Sequence, residues 1–193
     1  MAFFRTVGFT EAEPVISGEG VYLRPPQSSD FAAWATLRAQ SRDFLTPWEP
    51  IWPSDDLSRG AYRRRLRRYL DDQRNDMAYA FLVFRSGDHA LVGGLTLANI
   101  RRGVAQAGSL GYWIGAPHAH RGYMSAAVRA LLVNAFGALR LHRVEAACIP
   151  TNAPSIGLLE KCGFTREGYA RRYLCINGVW QDHLLYARLA DDP

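Results

Sequence analysis

At 193 residues, 48% hydrophobic and 21% charged, the chain has ordinary globular usage and can bury about 70% of its extended surface. No apolar run reaches the roughly 18 residues a membrane helix needs, and residues 1–24 lack the charged start and apolar core of a secretory signal. A net charge of +5, from 22 arginines and the single Lys161 against 18 acidic residues, suits an anionic cofactor or RNA and selects neither.

In chain order, residues 21–24 read as a first strand closed by Pro25-Pro26. Ser29 or Asp30 is placed to cap a helix through Phe31, Trp34 and Leu37-Arg38. Residues 44–53 read as a loop, because prolines at 47, 50 and 53 forbid a regular helix. Its Trp48 and Trp52 either cover a core or line a pocket. Residues 54–73 read as a helix whose Tyr62, Leu66, Tyr69 and Leu70 share one face. Six of the ten residues from Arg59 to Arg68 are arginine, a solvated face or an anchor for RNA.

Two strands follow, 79–85 and 90–97, joined through Ser86-Gly87-Asp88, and a further strand spans 109–114. Within 115–139, Val128, Leu131, Leu132, Ala135, Phe136 and Leu139 repeat with helical period. Residues 143–149 read as a strand with Val144, Ala146 and Cys148 on one face. Asn152 caps a short helix over 153–162 that Gly163 ends. The stretch 169–189 reads as a hairpin about Asn177-Gly178. Early hairpins exclude a doubly wound parallel sheet, whereas the strand–helix–strand unit over 109–149 requires one parallel crossover. The expectation is one α/β (α+β) domain over residues 1–193, core about 20–190, with a central mixed, mostly antiparallel sheet and helices on both faces.

The cysteines Cys148, Cys162 and Cys175, scattered among apolar neighbours, read as buried free thiols in a reducing cytoplasm. Histidines 89, 118, 120, 142 and 183 make no ligand pair at helical spacing, so no metal site is expected, and they read as surface or strand-end residues. The segment from His120 to Ser125 precedes the amphipathic helix. A helix N-terminus there, with Gly122 allowing close approach, Arg121 adding charge and Ser125 a hydroxyl, suits a phosphate or pyrophosphate. It matches neither the Walker loop nor the dinucleotide fingerprint.

Gly111-Tyr112-Trp113-Ile114, the His120-Arg121-Gly122-Tyr123-Met124 loop, and Asn152-Ala153-Pro154-Ser155 with Gly163-Phe164 resemble the GNAT acetyltransferases, which use acetyl coenzyme A. The resemblance covers about residues 20–190. Thr46-Pro47-Trp48-Glu49-Pro50 and the stretch from Glu167-Gly168-Tyr169 to Trp180-Gln181-Asp182-His183 look like the RimJ branch, which acetylates the N-terminal amine of a ribosomal protein. Of the family's Gln/Arg-x-x-Gly-x-Gly/Ala loop, only Gly122 stands in Ala119–Met124; Met124 resembles the RimJ-branch variant.

The resemblance implies acetyl-CoA as cosubstrate and a slot between splayed strands. Pantetheine would pair with backbone at Trp113 and Ile114, a backbone N–H near Ile114 would face the oxyanion, and the loop from His120 to Ser125 would hold pyrophosphate. Asn152 would hydrogen-bond the pantetheine arm, and Ser155 would protonate the leaving thiolate or serve as a second cap. Glu49 and Asp182 are the candidate bases; Glu49 can equally pair with the acceptor's ammonium and Asp182 can equally fix the hairpin. Three acceptor readings stay open. A groove floored by Trp48, Trp52, Tyr173 and Trp180 favours a protein N-terminus. A pocket rich in Asp and Glu favours a small polycationic amine. The arginine helix at 59–68, with the degenerate loop at 119–124, favours a ribosome- or RNA-binding module without catalysis. Monomer and homodimer are both compatible with the sequence.

Overall fold

The computed structural model describes residues 16–193, so the part of the reading of residues 1–24 that concerns 1–15 lies outside the described residues. In chain order it comprises β1 (Ile16–Gly18), β2 (Val21–Arg24), α1 (Phe31–Gln40), α2 (Arg42–Leu45), α3 (Arg59–Arg74), β3 (Tyr79–Arg85), β4 (Leu91–Arg101) and β5 (Ala107–Ile114). Then come α4 (Tyr123–Gly137), β6 (Arg143–Cys148), α5 (Ala153–Lys161), β7 (Thr165–Ile176) and β8 (Val179–Leu189). The strands form one sheet in the order β1-β2-β3-β4-β5-β6-β8-β7. Every neighbouring pair is antiparallel except β5 and β6, which run parallel because α4 makes the crossover between them.

Alternation along β3 builds both cores. Phe81 and Val83 face α4 and belong with Val92, Leu97, Val128 and Leu131. Leu82 and Phe84 face the other way and pack with Trp34, Leu37 and Tyr62 of α1 and α3. Both faces are therefore covered, which is why β3 reads as an unbroken apolar run. Val128, Leu131 and Ala135 are fully buried, and each large one contributes about 2 kcal/mol of hydrophobic stabilisation.

The boundaries depart from expectation where side chains find other work. Asp30 does not cap α1: it is buried in an ion pair with Arg24 (2.5 and 2.8 Å) and accepts from the Gln27 N–H. The stretch 44–53 is not wholly irregular, since α2 and a 3-10 turn (Thr46–Trp48) occupy its start; Pro47 sits in the first turn, where its missing N–H costs nothing. The arginine-rich helix is capped by Ser58, whose hydroxyl accepts from the Ala61 N–H, four residues after the expected opening at Ser54. β1 was not anticipated. Cys148 and Cys162 are buried, but Cys175 is exposed on β7 because that strand forms the sheet's edge. His183 is buried rather than superficial, its Nδ1 3.0 Å from the Gln181 carbonyl.

Candidate active site

The β5–β6 ladder ends at Leu110–Ala146, although β5 continues to Ile114 and β6 to Cys148. The strands thus part at their carboxyl ends, where the chain turns into α4 and α5, and an open crevice there is the usual ligand position of a parallel unit. The Gly115 N–H bonds the Val92 carbonyl of β4. Alternation then turns the Trp113 peptide toward β4 and leaves those of Tyr112 and Ile114 facing the gap. Trp113, expected on the slot's open edge, therefore has its main chain engaged with β4, and its indole packs on the α1–α3 side.

At the start of α4, His120 and Gly122 take left-handed backbone (φ 59° and 81°), which lifts the chain over the helix end. Among the described residues no side chain caps the helix, and the first bond it makes is Ala126 N–H to the Gly122 carbonyl. Among the described residues the N–H groups of Tyr123, Met124 and Ser125 have no acceptor, and the exposed Arg121 stands beside them. Among the described residues, a Cβ at Gly122 would meet no atom within 4 Å, so the space over this loop is open to them. This is a cradle fit for a pyrophosphate. Met124 and Ser125 offer it main chain only: both side chains are buried, the Met124 methyl against Gly93. The Tyr123 hydroxyl accepts instead from Arg85 at 3.4 Å.

Across the gap, Asn152 Oδ1 accepts from the Ser155 N–H at 3.1 Å and caps α5. No described protein group takes its NH2. The Ser155 hydroxyl does not cap; it lies 2.6 Å from the Tyr112 hydroxyl. Burial holds the Tyr112 phenol well above the usual tyrosine range and pushes the neighbouring Cys148 thiol up.

On the opposite face lies a cavity of about 550 Å³, walled by α1, α3, residues 49–53 and strands β3 to β5. It reaches β5 at Gly111, Tyr112 and Trp113, the stretch that borders the slot. Glu49 is half-buried in its wall: Oε1 accepts from Arg38 at 2.6 Å, and Oε2 accepts from Arg38 and from the Trp52 indole, both at 2.7 Å. Arg38 is stacked over Trp52 and Trp113, 4.0 and 5.0 Å from their ring centroids. Asp56, also on the wall, pairs with Arg65 at 2.6 Å. Among the described residues, the two acidic side chains lining the cavity, Glu49 and Asp56, are thus each paired with an arginine, and Arg68 adds a further cation, so this lining is not rich in acid.

The expected aromatic floor forms only in part. Trp52 lines the cavity; Trp48, Tyr173 and Trp180 do not, and all three are exposed. Tyr173 packs edge-on to His183. The hairpin still reaches the loop, because the tight turn at Asn177 and Gly178 (φ 45° and 80°) donates the Asn177 N–H to the Glu49 carbonyl at 2.8 Å. Asp182 accepts from the Tyr169 hydroxyl and, at 2.7 Å, from the Arg172 N–H, where β7 bulges. Those two bonds hold its carboxyl below the usual range, and they suit it to fixing the hairpin rather than taking a proton. The arginine helix is not a uniform cationic face either: Arg64 and Arg65 pair with Asp55 and Asp56, and Arg59 lies over Phe31. Tyr112 and Arg38 were missed. An aromatic on a strand and a cation on a helix carry no local signal of what they will meet.

Residues 21–165 match the family described as acetyltransferase (GNAT) domain. A probable N-acetyltransferase of Bacillus subtilis, YjcK, is 36% identical over 178 residues, 92% of this chain and 98% of its own. The [ribosomal protein uS5]-alanine N-acetyltransferase of Escherichia coli is 33% identical over 165 residues, 84% of this chain and 85% of its own. Among solved structures, Mycobacterium smegmatis RimJ in complex with CoA-disulfide superimposes with a TM-score of 0.84 at 33% identity, covering 89% of this chain and 82% of that one.

Proposed function

The chain belongs to the GNAT family of acetyl-CoA-dependent N-acetyltransferases, and from that premise we propose that its acceptor is the N-terminal α-amine of a protein, attacking directly in a ternary complex. The observation that carries this reading is the shared stretch of β5: slot and cavity meet at Gly111–Trp113, so an amine in one can reach a thioester in the other. The relative in Escherichia coli that acts on ribosomal protein uS5 supports a ribosomal protein as acceptor. A ribosomal protein as acceptor implies a cytoplasmic enzyme. Among the described residues no helix is long and apolar enough to cross a membrane, and no three His, Cys, Asp or Glu side chains converge as metal ligands.

Acetyl-CoA supplies a thioester whose carbonyl accepts the amine and whose thiolate can leave. The N–H groups of Tyr123, Met124 and Ser125, with Arg121 and the approach allowed at His120-Gly122, hold the pyrophosphate. The free peptide edge at Tyr112 and Ile114 pairs with pantetheine, and the Ile114 N–H faces the developing oxyanion. The Asn152 NH2 holds the pantetheine arm while its oxygen caps α5. Ser155 gives its proton to the departing sulfur. An α-amine, with an ordinary pKa of about 7.7–8.0, is partly neutral near pH 7 and needs no strong base. Glu49, fully engaged with Arg38 and Trp52, holds the loop that walls the cavity. Arg63 and Arg67, which no described carboxylate pairs, are the part of α3 left for a weak RNA contact.

A pocket whose acids are already paired is a poor site for a polycation and a better one for a peptide end. The test is a comparison of kcat/KM for an alanine-initiated peptide, spermidine and glucosamine with acetyl-CoA. The expected preference for the peptide is at least about 100-fold, some 2.7 kcal/mol in transition-state stabilisation. A preference for either small amine overturns the reading.

A further inference from the structure

Tyr112 stands at the junction of slot and cavity, yet none of the roles above uses its hydroxyl. We propose that Tyr112 is a positioning residue that donates its proton to Ser155 Oγ and thereby aims the Ser155 O–H at the departing sulfur. The inference rests on the assignment of Ser155 as the acid.

A serine hydroxyl has one proton, two acceptor positions and a free rotor. Around Ser155 the described polar groups are the Tyr112 hydroxyl at 2.6 Å and the Cys148 thiol. If Ser155 donated to Tyr112, its only proton would be spent away from the thioester. If Tyr112 donates, the rotor is fixed and the Ser155 proton is left for a third partner. The two oxygens differ in kind, and that favours the second arrangement: a phenol is the more acidic hydroxyl and the better donor, an alkyl hydroxyl the better acceptor, and at 2.6 Å the phenol, which burial keeps protonated, gives its proton to Ser155. The thiol, itself a weak acceptor, does not compete. A hydroxyl that accepts one hydrogen bond also donates a stronger one, which helps a poor acid serve a thiolate.

The fixation is two-point. Asn152 Oδ1 holds the Ser155 main chain at 3.1 Å, and Tyr112 holds the side chain. Tyr112 lies on β5 and Ser155 on α5, so the bond spans the gap where the strands part and sets the hydroxyl relative to the carbonyl-facing edge at Ile114. In the step itself the N–C bond forms and the C–S bond breaks. The sulfur leaves with the electron pair and takes the Ser155 proton. Ser155 recovers a proton from water, into which the acetylated nitrogen sheds its own. Tyr112 keeps its proton throughout.

The experiment is a double-mutant cycle of Tyr112→Phe and Ser155→Ala, read as kcat and KM with acetyl-CoA and whichever amine the wild type turns over. Phenylalanine keeps the ring that packs against the core, and circular dichroism checks the fold. The expected result is a roughly tenfold fall in kcat for Tyr112→Phe, KM for acetyl-CoA within twofold, and no further fall when Tyr112→Phe is added to Ser155→Ala. A kcat for Tyr112→Phe within twofold of wild type overturns the proposal. So does an equal fall in both backgrounds, because Tyr112 would then act independently of Ser155. A wild type that uses only small amines would refute the protein-acceptor reading and leave this cycle measurable, so the two fail separately.

Discussion

Arg38 holds both carboxylate oxygens of Glu49, at 2.6 and 2.7 Å, from a position stacked against the indoles of Trp52 and Trp113. Two residues eleven apart thereby tie α1 to the aromatic loop and to β5 at once. The pair is mostly buried, with 8% of the Arg38 side chain and 19% of the Glu49 side chain exposed. Removing one partner strands the other charge. Arg38→Met is expected to cost about 3 kcal/mol or more in urea unfolding.

The same pair decides what Glu49 does. A base lost in Glu49→Gln would abolish the rising limb of the kcat–pH profile. Because Glu49 is committed to Arg38 and Trp52, the variant is expected to keep that limb, with kcat within about threefold, and to raise KM for the peptide as the loop loosens. Steady-state kinetics from pH 6 to 9 distinguishes the two outcomes.

At Gly122 the backbone φ of 81° and the open space above it separate folding from binding. Gly122→Val introduces left-handed strain of about 1–2 kcal/mol, and its Cβ meets no described atom within 4 Å, so the variant should fold. It should bind coenzyme A at least about tenfold more weakly by calorimetry, since the branch stands where the pyrophosphate meets the Tyr123 and Met124 N–H groups. Unchanged affinity would remove the pyrophosphate from the start of α4.

Asn152 and Ser155 divide capping from chemistry. Asn152→Ala should lose about 1 kcal/mol of stability with the cap, and coenzyme A affinity with the NH2. Ser155→Ala leaves the cap intact and removes only the Tyr112 bond, so it should cost about 1 kcal/mol of stability while kcat falls about 100-fold. A Ser155→Ala enzyme with wild-type kcat would leave that hydroxyl a purely structural role.

His118 gives the fold a pH dependence. Its Nδ1 is buried without a partner among the described residues, and burial, then Arg85 and Arg121, lowers its pKa below 6.5. The unfolded chain takes the proton first as pH falls, so stability is fully present above about 6.5 and declines below it toward the folded-state pKa. His118→Gln removes that linkage, and its Tm between pH 6.5 and 5 should fall less steeply than that of the wild type.

Local chemistry made most of the fold legible. Asn177-Gly178 announced the last hairpin, Asn152 and Gly163 bracketed α5, and the period from Val128 to Ala135 marked the crossover helix. β1 stayed hidden because its three residues carry too short a pattern to register. In the site, main-chain donors at the start of α4 could be read from a glycine before an amphipathic helix. Side-chain partners could not. The Arg38–Glu49 and Tyr112–Ser155 contacts join residues 11 and 43 positions apart, and only the folded sheet brings the second pair together. Residue type alone places Trp48, Tyr173 and Trp180 in the pocket; instead Tyr173 is exposed on β7, the sheet's edge, and Trp180 is exposed beside the hairpin turn at the start of β8.

Acetyl transfer to a protein's N-terminal α-amine leaves a mark that can be located on a single atom. The most direct measurement is tandem mass spectrometry of an alanine-initiated peptide carrying one internal lysine, after incubation with the enzyme and isotopically labelled acetyl-CoA. The expected label is on the α-amine, where the lower amine pKa leaves more neutral nucleophile, with none on the lysine. Label on the lysine side chain with a free N-terminus would contradict it.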